Sequence, residues 1–150
     1  MTAADKPALM LILRDTPEFE PAEIPVAEEV IDTGLADPEC YHLFVAEREG
    51  FITGYICYGI TPLTESTWDI YWMAVERHQR GLGIGGILLC SAEEDIARRQ
   101  GRLIIIETSG KPMYDNTRRF YLSHQYEFVC RIEDFYAPGD DKIVFKKSLS

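Results

Sequence analysis

Val75-Glu76-Arg77-His78-Gln79-Arg80-Gly81-Leu82-Gly83-Ile84-Gly85-Gly86-Ile87-Leu88 joins three kinds of sequence. An aromatic-rich apolar run, Thr67 to Val75, ends where it begins, and a charged stretch, Glu76 to Arg80, follows. Glycines then alternate, and apolar residues recur at Ile84, Leu88, Ala92 and Ile96, with Ile87 beside them. That spacing predicts a helix from about Ile84 to Arg99, with Glu93, Glu94, Asp95, Arg98 and Arg99 on its wet side and Gly101 as its C-cap. Glycines ahead of a helix let backbone N–H groups approach a ligand, and the helix N-terminus adds a partial positive charge. Arg80 adds a full one. The segment predicts a site for a phosphate-bearing ligand. A tight turn alone needs fewer glycines, and each costs ~0.5–1 kcal/mol of chain entropy relative to alanine.

Two frames fit the glycines. Gly81, Gly83 and Gly86 satisfy G-x-G-x-x-G, and Glu107 lies about twenty residues on, where a dinucleotide fold places its ribose-binding acid. That frame predicts a nicotinamide-dependent oxidoreductase. Context argues against it. The charged stretch separates strand from glycines, a hairpin meander and not a βαβ unit precedes them, and only residues 108–150 follow Glu107.

Working outward, His42 to Glu47 and Phe51 to Ile60 form a predicted β-hairpin around Glu49-Gly50, and Thr67 to Val75 is a further strand. Leu103 to Ile106 is a run of four apolar residues, the mark of a strand buried on both faces. Asn116-Thr117 is placed to cap a short helix through His124, and Glu127 to Phe135 with Lys142 to Lys147 predicts a final hairpin around Pro138-Gly139-Asp140-Asp141. Upstream, Met10 to Leu13 is a strand candidate broken by Thr16-Pro17, and Glu20 to Leu35 carries helical spacing at Ile24, Ala27, Val30 and Ile31. The order is that of a single mixed α/β (α+β) domain over residues 1–150.

Composition narrows the function. A formal net charge of −10 excludes nucleic acid as a direct ligand, because phosphate binding needs a basic surface, and it suits a cationic substrate. No apolar run approaches the ~18 residues of a membrane span, so no membrane partner and a cytoplasmic location are expected. Cys40, Cys57, Cys90 and Cys130 form no Cys-x-x-Cys pair, and His42, His78 and His124 show no ligand spacing, so no metal is expected. Cys57 and Cys90 read as small core residues.

Val75 to Gly85 resembles the coenzyme-A loop of the GNAT N-acetyltransferase superfamily, whose pattern of Gln or Arg, two residues, Gly, one residue, then Gly or Ala falls on Arg80, Gly83 and Gly85. Phe120-Tyr121, with Tyr126 five residues on from Tyr121, resembles the family's Phe-Tyr helix. The resemblance implies the GNAT fold: a central, mostly antiparallel sheet of six to seven strands with a splayed parallel pair and flanking helices. It implies acetyl-CoA as co-substrate and an amine, small molecule or peptide, as acceptor by direct attack; a homodimer is compatible with it. By the same resemblance Met73, Ala74 and Val75 would pair with the pantetheine arm and polarise the thioester carbonyl, and Arg80, Gly81, Leu82, Gly83, Ile84, Gly85 and Gly86 would wrap the pyrophosphate. Tyr121 would protonate the departing thiolate, and Asn116 would be a coenzyme contact.

Asp69 lies on the strand where several family members carry a catalytic glutamate, and Glu107 is the other carboxylate candidate for the base. Simple alternation would put Asp69, Tyr71 and Met73 on one face, unless a bulge changes the parity. Asp134, Asp140 or Asp141 would attract a cationic acceptor. The chain departs from the family pattern at Gln125, where a glycine is usual, and at Tyr114, where an asparagine is usual. The same resemblance leaves open a coenzyme-binding regulatory domain without catalysis.

Overall fold

β-Branched and aromatic residues dominate two long runs that meet at Glu49-Gly50, and both turn residues adopt positive φ, 54° and 83°. The result is the hairpin of β1 (His42–Arg48) and β2 (Phe51–Ile60). The computed structural model describes residues 1–149. In it β3 (Thr67–Val75), β4 (Leu103–Ser109), β5 (Glu127–Ala137) and β6 (Asp140–Ser148) complete one six-stranded sheet in the order β1-β2-β3-β4-β6-β5. Every neighbouring pair is antiparallel except β3 and β4. Helices α1 (Lys6–Arg14) and α2 (Glu23–Ala36) cover one face, and α3 (Ile84–Arg98) with α4 (Asp115–Ser123) cover the other.

Each face has its own core. Leu9, Leu13, Ala27 and Ile31 pack with Tyr55, Cys57 and Ala74 on the α1/α2 side. Leu88, Leu89, Ala92 and Ile96 pack with Ile56, Trp68, Ile70, Ile104, Ile106 and Tyr121 on the α3/α4 side. β4 is more lopsided than its apolar run suggests: Ile104 and Ile106 are buried, while Leu103 and Ile105 are half-buried.

Several local expectations need correction. The predicted strand Met10 to Leu13 lies inside helix α1. Four apolar residues cannot distinguish strand from buried helix, and here Leu9, Met10, Ile12 and Leu13 share the buried side while Leu11 is exposed and Pro7 sits in the first turn. Asn116 and Thr117 are not caps: Tyr114 takes the N-cap position, without a side-chain cap bond, and Asn116 falls in the first turn of α4. Cys90 is exposed, so only Cys57 is a core thiol. Asp140 and Asp141 belong to strand β6 and are buried, leaving Pro138-Gly139 as the turn.

Gly101 also serves differently. Gln100 adopts the left-handed conformation (φ 62°), and the Gly101 N–H closes the helix end on the Ile96 carbonyl at 2.8 Å. Glycine is needed at 101 for space, because a Cβ there would lie 2.2 Å from Ile96 Cγ2 and 2.9 Å from Trp68 Cδ1.

Candidate active site

The parallel register between β3 and β4 runs from Thr67 opposite Leu103 to Ile70 opposite Ile106 and stops there. Beyond it β3 stays with β2 as far as Val75, and β4 stays with β6 as far as Ser109. The two strands therefore splay, and the facing edges of Tyr71–Val75 and Glu107–Ser109 have no strand partner. Unpaired strand edges of this kind accept an extended ligand as an added strand. A cleft of about 1340 Å³ opens over the splay, larger than the ~300–1,000 Å³ of ordinary small-molecule pockets.

A bulge shapes the first wall. Cys57 pairs with Trp72 and Tyr58 with Ile70, so Tyr71 is the extra residue of β3. Its effect on parity is visible in the cores. Trp68 and Ile70 pack on the α3/α4 side, and so do Met73 and Val75, whereas Trp72 and Ala74 pack on the α1/α2 side. Asp69 thus shares the α1/α2 side with Trp72 and Ala74, and the simple alternation that grouped Asp69 with Met73 fails. Asp69 lines the cleft, accepting a hydrogen bond from Thr61 Oγ1 at 2.5 Å and a long one from the Tyr71 hydroxyl at 3.5 Å.

Glu107 is on the same side of the sheet. Asp69 and Ile105 are register partners, so they point the same way, and Glu107 is two residues past Ile105. Lys142 Nζ holds its carboxylate at 2.7 Å. That ion pair occupies one side of the Glu107 carboxylate.

The glycine loop forms the far end of the cleft. Gly81 and Gly83 adopt φ of 77° and 80°, and a Cβ at either would meet nothing within 4 Å. The conformation demands glycine there, and the space beside it is open. Gly83 is the N-cap of α3, whose first intrahelical bond is Ile87 N–H to Gly83 O at 3.0 Å. The N–H groups of Ile84, Gly85 and Gly86 are therefore first-turn donors with no intrahelical partner. Gly85 and Gly86 do other work: a Cβ at Gly85 would touch the Phe120 ring at 3.5 Å, and one at Gly86 would press on His124 Nε2 at 3.0 Å. The missing Cβ at Gly86 lets α3 pack closely on the end of α4, whereas at Gly85 the contact would be of ordinary van der Waals length. The dinucleotide frame loses its basis, since β3 continues an antiparallel meander from the β1–β2 hairpin and no βαβ unit leads into the loop.

Arg80 is engaged inside the protein. Its guanidinium makes a two-pronged pair with Glu18, at 2.8 and 3.1 Å, and its Nε donates to the Val75 carbonyl at 3.3 Å. Burial is the largest single influence on the Glu18 carboxyl and pushes it up, but the Arg80 hydrogen bonds, a backbone hydrogen bond and the charges of Arg80 and Arg77 together outweigh it and hold the carboxyl below its ordinary value. The Tyr114 hydroxyl donates to the Glu18 carbonyl at 2.6 Å, and Lys111 Nζ lies 3.6 Å from Glu20. The segment between α1 and α2 is thereby tied across the cleft. Sequence reasoning missed Glu18 and Lys111. No local pattern signals the Glu18 pairs, which join residues 62 and 96 positions apart.

Tyr121 approaches from the other face. It packs in the α3/α4 core beside Tyr126 and Phe145, with ring centroids 5.8 and 6.1 Å away, and borders the cleft. Burial alone pushes its phenol above the ordinary range. Asn116 also borders the cleft, as do Met73, Ala74 and Val75. Leu82 does not; it lines a separate shallow depression with Arg48 and Phe51. Asp140 reaches the cleft and accepts from Ser109 Oγ at 2.5 Å, but Asp134 and Asp141 face the hairpin, where Asp141 pairs with Arg131. Among the described residues no cluster of His, Cys, Asp or Glu is placed to hold a metal, and no helix is long and apolar enough to cross a membrane.

A profile of the acetyltransferase (GNAT) domain matches residues 39–128, more than half of the chain. The chain belongs to the GNAT acetyltransferase family. An acetyltransferase assigned to the GNAT family in Desulfovibrio desulfuricans is 36% identical, with a TM-score of 0.94 over 99% of this chain and 94% of that one. Two more distant GNAT structures share the fold. A ribosomal-protein-alanine N-acetyltransferase from Brucella melitensis superposes with a TM-score of 0.79 at 22% identity, over 99% of this chain and 97% of that one. An aminoglycoside 6′-N-acetyltransferase solved with coenzyme A does so with 0.76 at 21% identity, over 95% and 89%. No curated protein matched. The mixed sheet with its one parallel pair is the family's fold.

Gly83→Ala separates conformation from ligand space. The methyl meets no protein atom within 4 Å, so the folding cost is that of a left-handed alanine, about 1–2 kcal/mol. Because the methyl enters the space beside the free N–H groups, KM for acetyl-CoA is expected to rise at least ~10-fold, the order of one charge-assisted hydrogen bond, with kcat nearly unchanged. Steady-state kinetics with a melting curve checks both halves. An unchanged KM would remove Gly83 from the coenzyme site.

Proposed function

We propose that this protein is an N-acetyltransferase that moves the acetyl group of acetyl-CoA to a primary amine by direct attack. One observation carries the reading: a carboxylate, Asp69, and a phenol, Tyr121, border one cleft from opposite faces of the sheet, at the splay between β3 and β4. The bound coenzyme supplies an acetyl thioester, the electrophile. The residues present fit such a ligand: the free N–H groups of Ile84 to Gly86 and the open space at Gly81 and Gly83 suit its pyrophosphate, and the unpaired edge of Met73 to Val75 suits an extended amide-bearing arm. Arg80 serves this end of the cleft as well, by exchanging Glu18 for phosphate or by holding the loop in shape.

An amine acceptor enters from the α1/α2 side, where Asp69 faces it. Asp69, directly or through water, takes the proton that the ammonium must lose. A backbone N–H of the Met73 to Val75 edge polarises the carbonyl. The C–N bond forms and the C–S bond breaks; Tyr121 gives its proton to the departing thiolate, and the second proton, lost by the nitrogen as the amide forms, returns through water to the phenolate, while Asp69 releases the first to solvent. The phenol is protonated across neutral pH, burial holding it above its ordinary value, and so carries a proton to give. Cys90 lies exposed on α3 outside the cleft, so no acetyl-enzyme is part of the scheme.

The test is release of free coenzyme-A thiol from acetyl-CoA across a panel of amines, with intact-protein mass spectrometry alongside. Amine-dependent thiol release with no stable +acetyl protein species is expected. Tight coenzyme binding with no acetylation of any amine would point to a coenzyme-binding regulatory domain instead.

A further inference from the structure

The two ends of the cleft differ in charge. The glycine-loop end has open helix N–H groups and the Arg80–Glu18 pair. The other end is lined by Glu20, Glu23, Asp69, Glu107 and Asp140. Among the described residues two ammonium groups temper them: Lys111, 3.6 Å from Glu20 and 3.4 Å from Asp140, and Lys142, behind Glu107 at 2.7 Å. These carboxylates come from three separate parts of the fold: the start of α2 and the segment before it, strand β3, and the β4/β6 wall. They converge on one space.

Two tyrosines stand among them with their rings partly open. Tyr71 is 38% exposed and Tyr136 47% exposed. Their phenols are both pushed up to about 12, by burial first, then by Asp69 at Tyr71 and by Glu107, Asp140 and Glu23 at Tyr136. Both phenols therefore remain neutral hydrogen-bonding groups, and their rings offer the faces that attract cations. Carboxylates interleaved with open aromatic rings make a wall for ammonium groups.

One ammonium does not satisfy this wall. The reacting amine gives up its charge at Asp69, and Glu107 lies on the neighbouring strand, two residues past Asp69's partner Ile105, an offset of ~7 Å along the strands on the same face. A neutral peptide segment would instead need amide-pairing groups, and it would leave the carboxylates uncompensated and desolvated. Building on the acetyltransferase reading, we propose that the acceptor is a small polyamine: one amine reacts beside Asp69 while a second, still protonated, is held by Glu107, Asp140 and Glu23.

The experiment compares putrescine with n-pentylamine, which has similar length and one charge, together with spermidine, kanamycin and a neutral peptide with a free N-terminus. Thiol release from acetyl-CoA is the readout. The diamine is expected to exceed the monoamine by at least ~10-fold in kcat/KM, the order of one charge-assisted hydrogen bond. In Glu23→Gln/Glu107→Gln that advantage should collapse through KM for the diamine, with KM for acetyl-CoA staying within about twofold. Both side chains reach solvent, so the variant tests charge without removing core packing. Preference for spermidine or for kanamycin tells a linear polyamine from an aminosugar. Equal use of monoamine and diamine, or preference for the peptide, overturns the polyamine assignment and leaves the acetyltransferase standing. No acetylation of any amine by protein that still binds acetyl-CoA overturns both.

Discussion

Tyr121→Phe is expected to lower kcat by about 10²–10⁴-fold, the usual contribution of a positioned general acid, while KM for acetyl-CoA stays within about twofold. The ring keeps its contacts with Phe120, Tyr126 and Phe145, because only the hydroxyl leaves. No charged or hydrogen-bonding side chain tunes that hydroxyl, so the melting temperature should hold. The pH dependence is informative as well. Burial raises the phenol above its ordinary value of about 10, so wild-type kcat should show no loss from phenol ionisation between pH 7 and 9. A loss that appeared in KM or in stability would make Tyr121 a packing residue. An unchanged kcat would leave the thiolate to be protonated by water.

The central strand–glycine loop–helix unit was legible before any coordinates because its signals are local. β3 ends at Val75 and α3 begins at Ile84, as the periodicity indicates, and Gly83 has the φ that its place ahead of a helix requires. The hairpin at Glu49-Gly50 was legible for the same reason. Where the signal was short or the answer depended on distant contacts, the reading failed. Four apolar residues at Met10 to Leu13 fit a strand and a buried helix equally, and α2 and Tyr55 decide between them. Gly101 looked like a conformational cap, but its requirement comes from Ile96 and Trp68.

The site divides in the same way. The glycine-loop end of the cleft is written in adjacent residues. The end proposed to take the acceptor is assembled from positions as far apart as Glu20 and Asp140, and its charge is invisible until the sheet folds. Two features of that end depend on register alone: the bulge at Tyr71, which sets which face Asp69 takes, and the stop of the parallel ladder at Ile70, which opens the splay. Sequence alternation predicted neither. Arg80 belongs to both classes. Its place in the loop was evident, whereas its engagement by Glu18 was not.

Asp69→Asn is expected to lower kcat/KM for the amine by about 10²-fold at pH 7, with the deficit shrinking toward pH 9. The reason lies in the substrate. A primary amine is mostly protonated at pH 7, and only its free base attacks, so the carboxylate's contribution is largest where the free base is scarce. Raising the pH supplies free amine without Asp69 and narrows the gap. Asparagine keeps the size of the side chain and an oxygen for Thr61 Oγ1, now 2.5 Å from Asp69 Oδ2, so the wall should stay in place and the melting temperature with it. Tyr71 stays protonated across this range, its phenol pushed up to about 12, so it adds no titration of its own. Glu107→Gln is the discriminating control: held by Lys142, Glu107 is expected to act on KM for the amine, with no pH-dependent deficit in kcat. A pH-dependent deficit found in Glu107→Gln and not in Asp69→Asn would transfer the base to β4. A deficit in Asp69→Asn that stays constant from pH 7 to 9 would make Asp69 a binding residue for the ammonium and leave deprotonation to solvent.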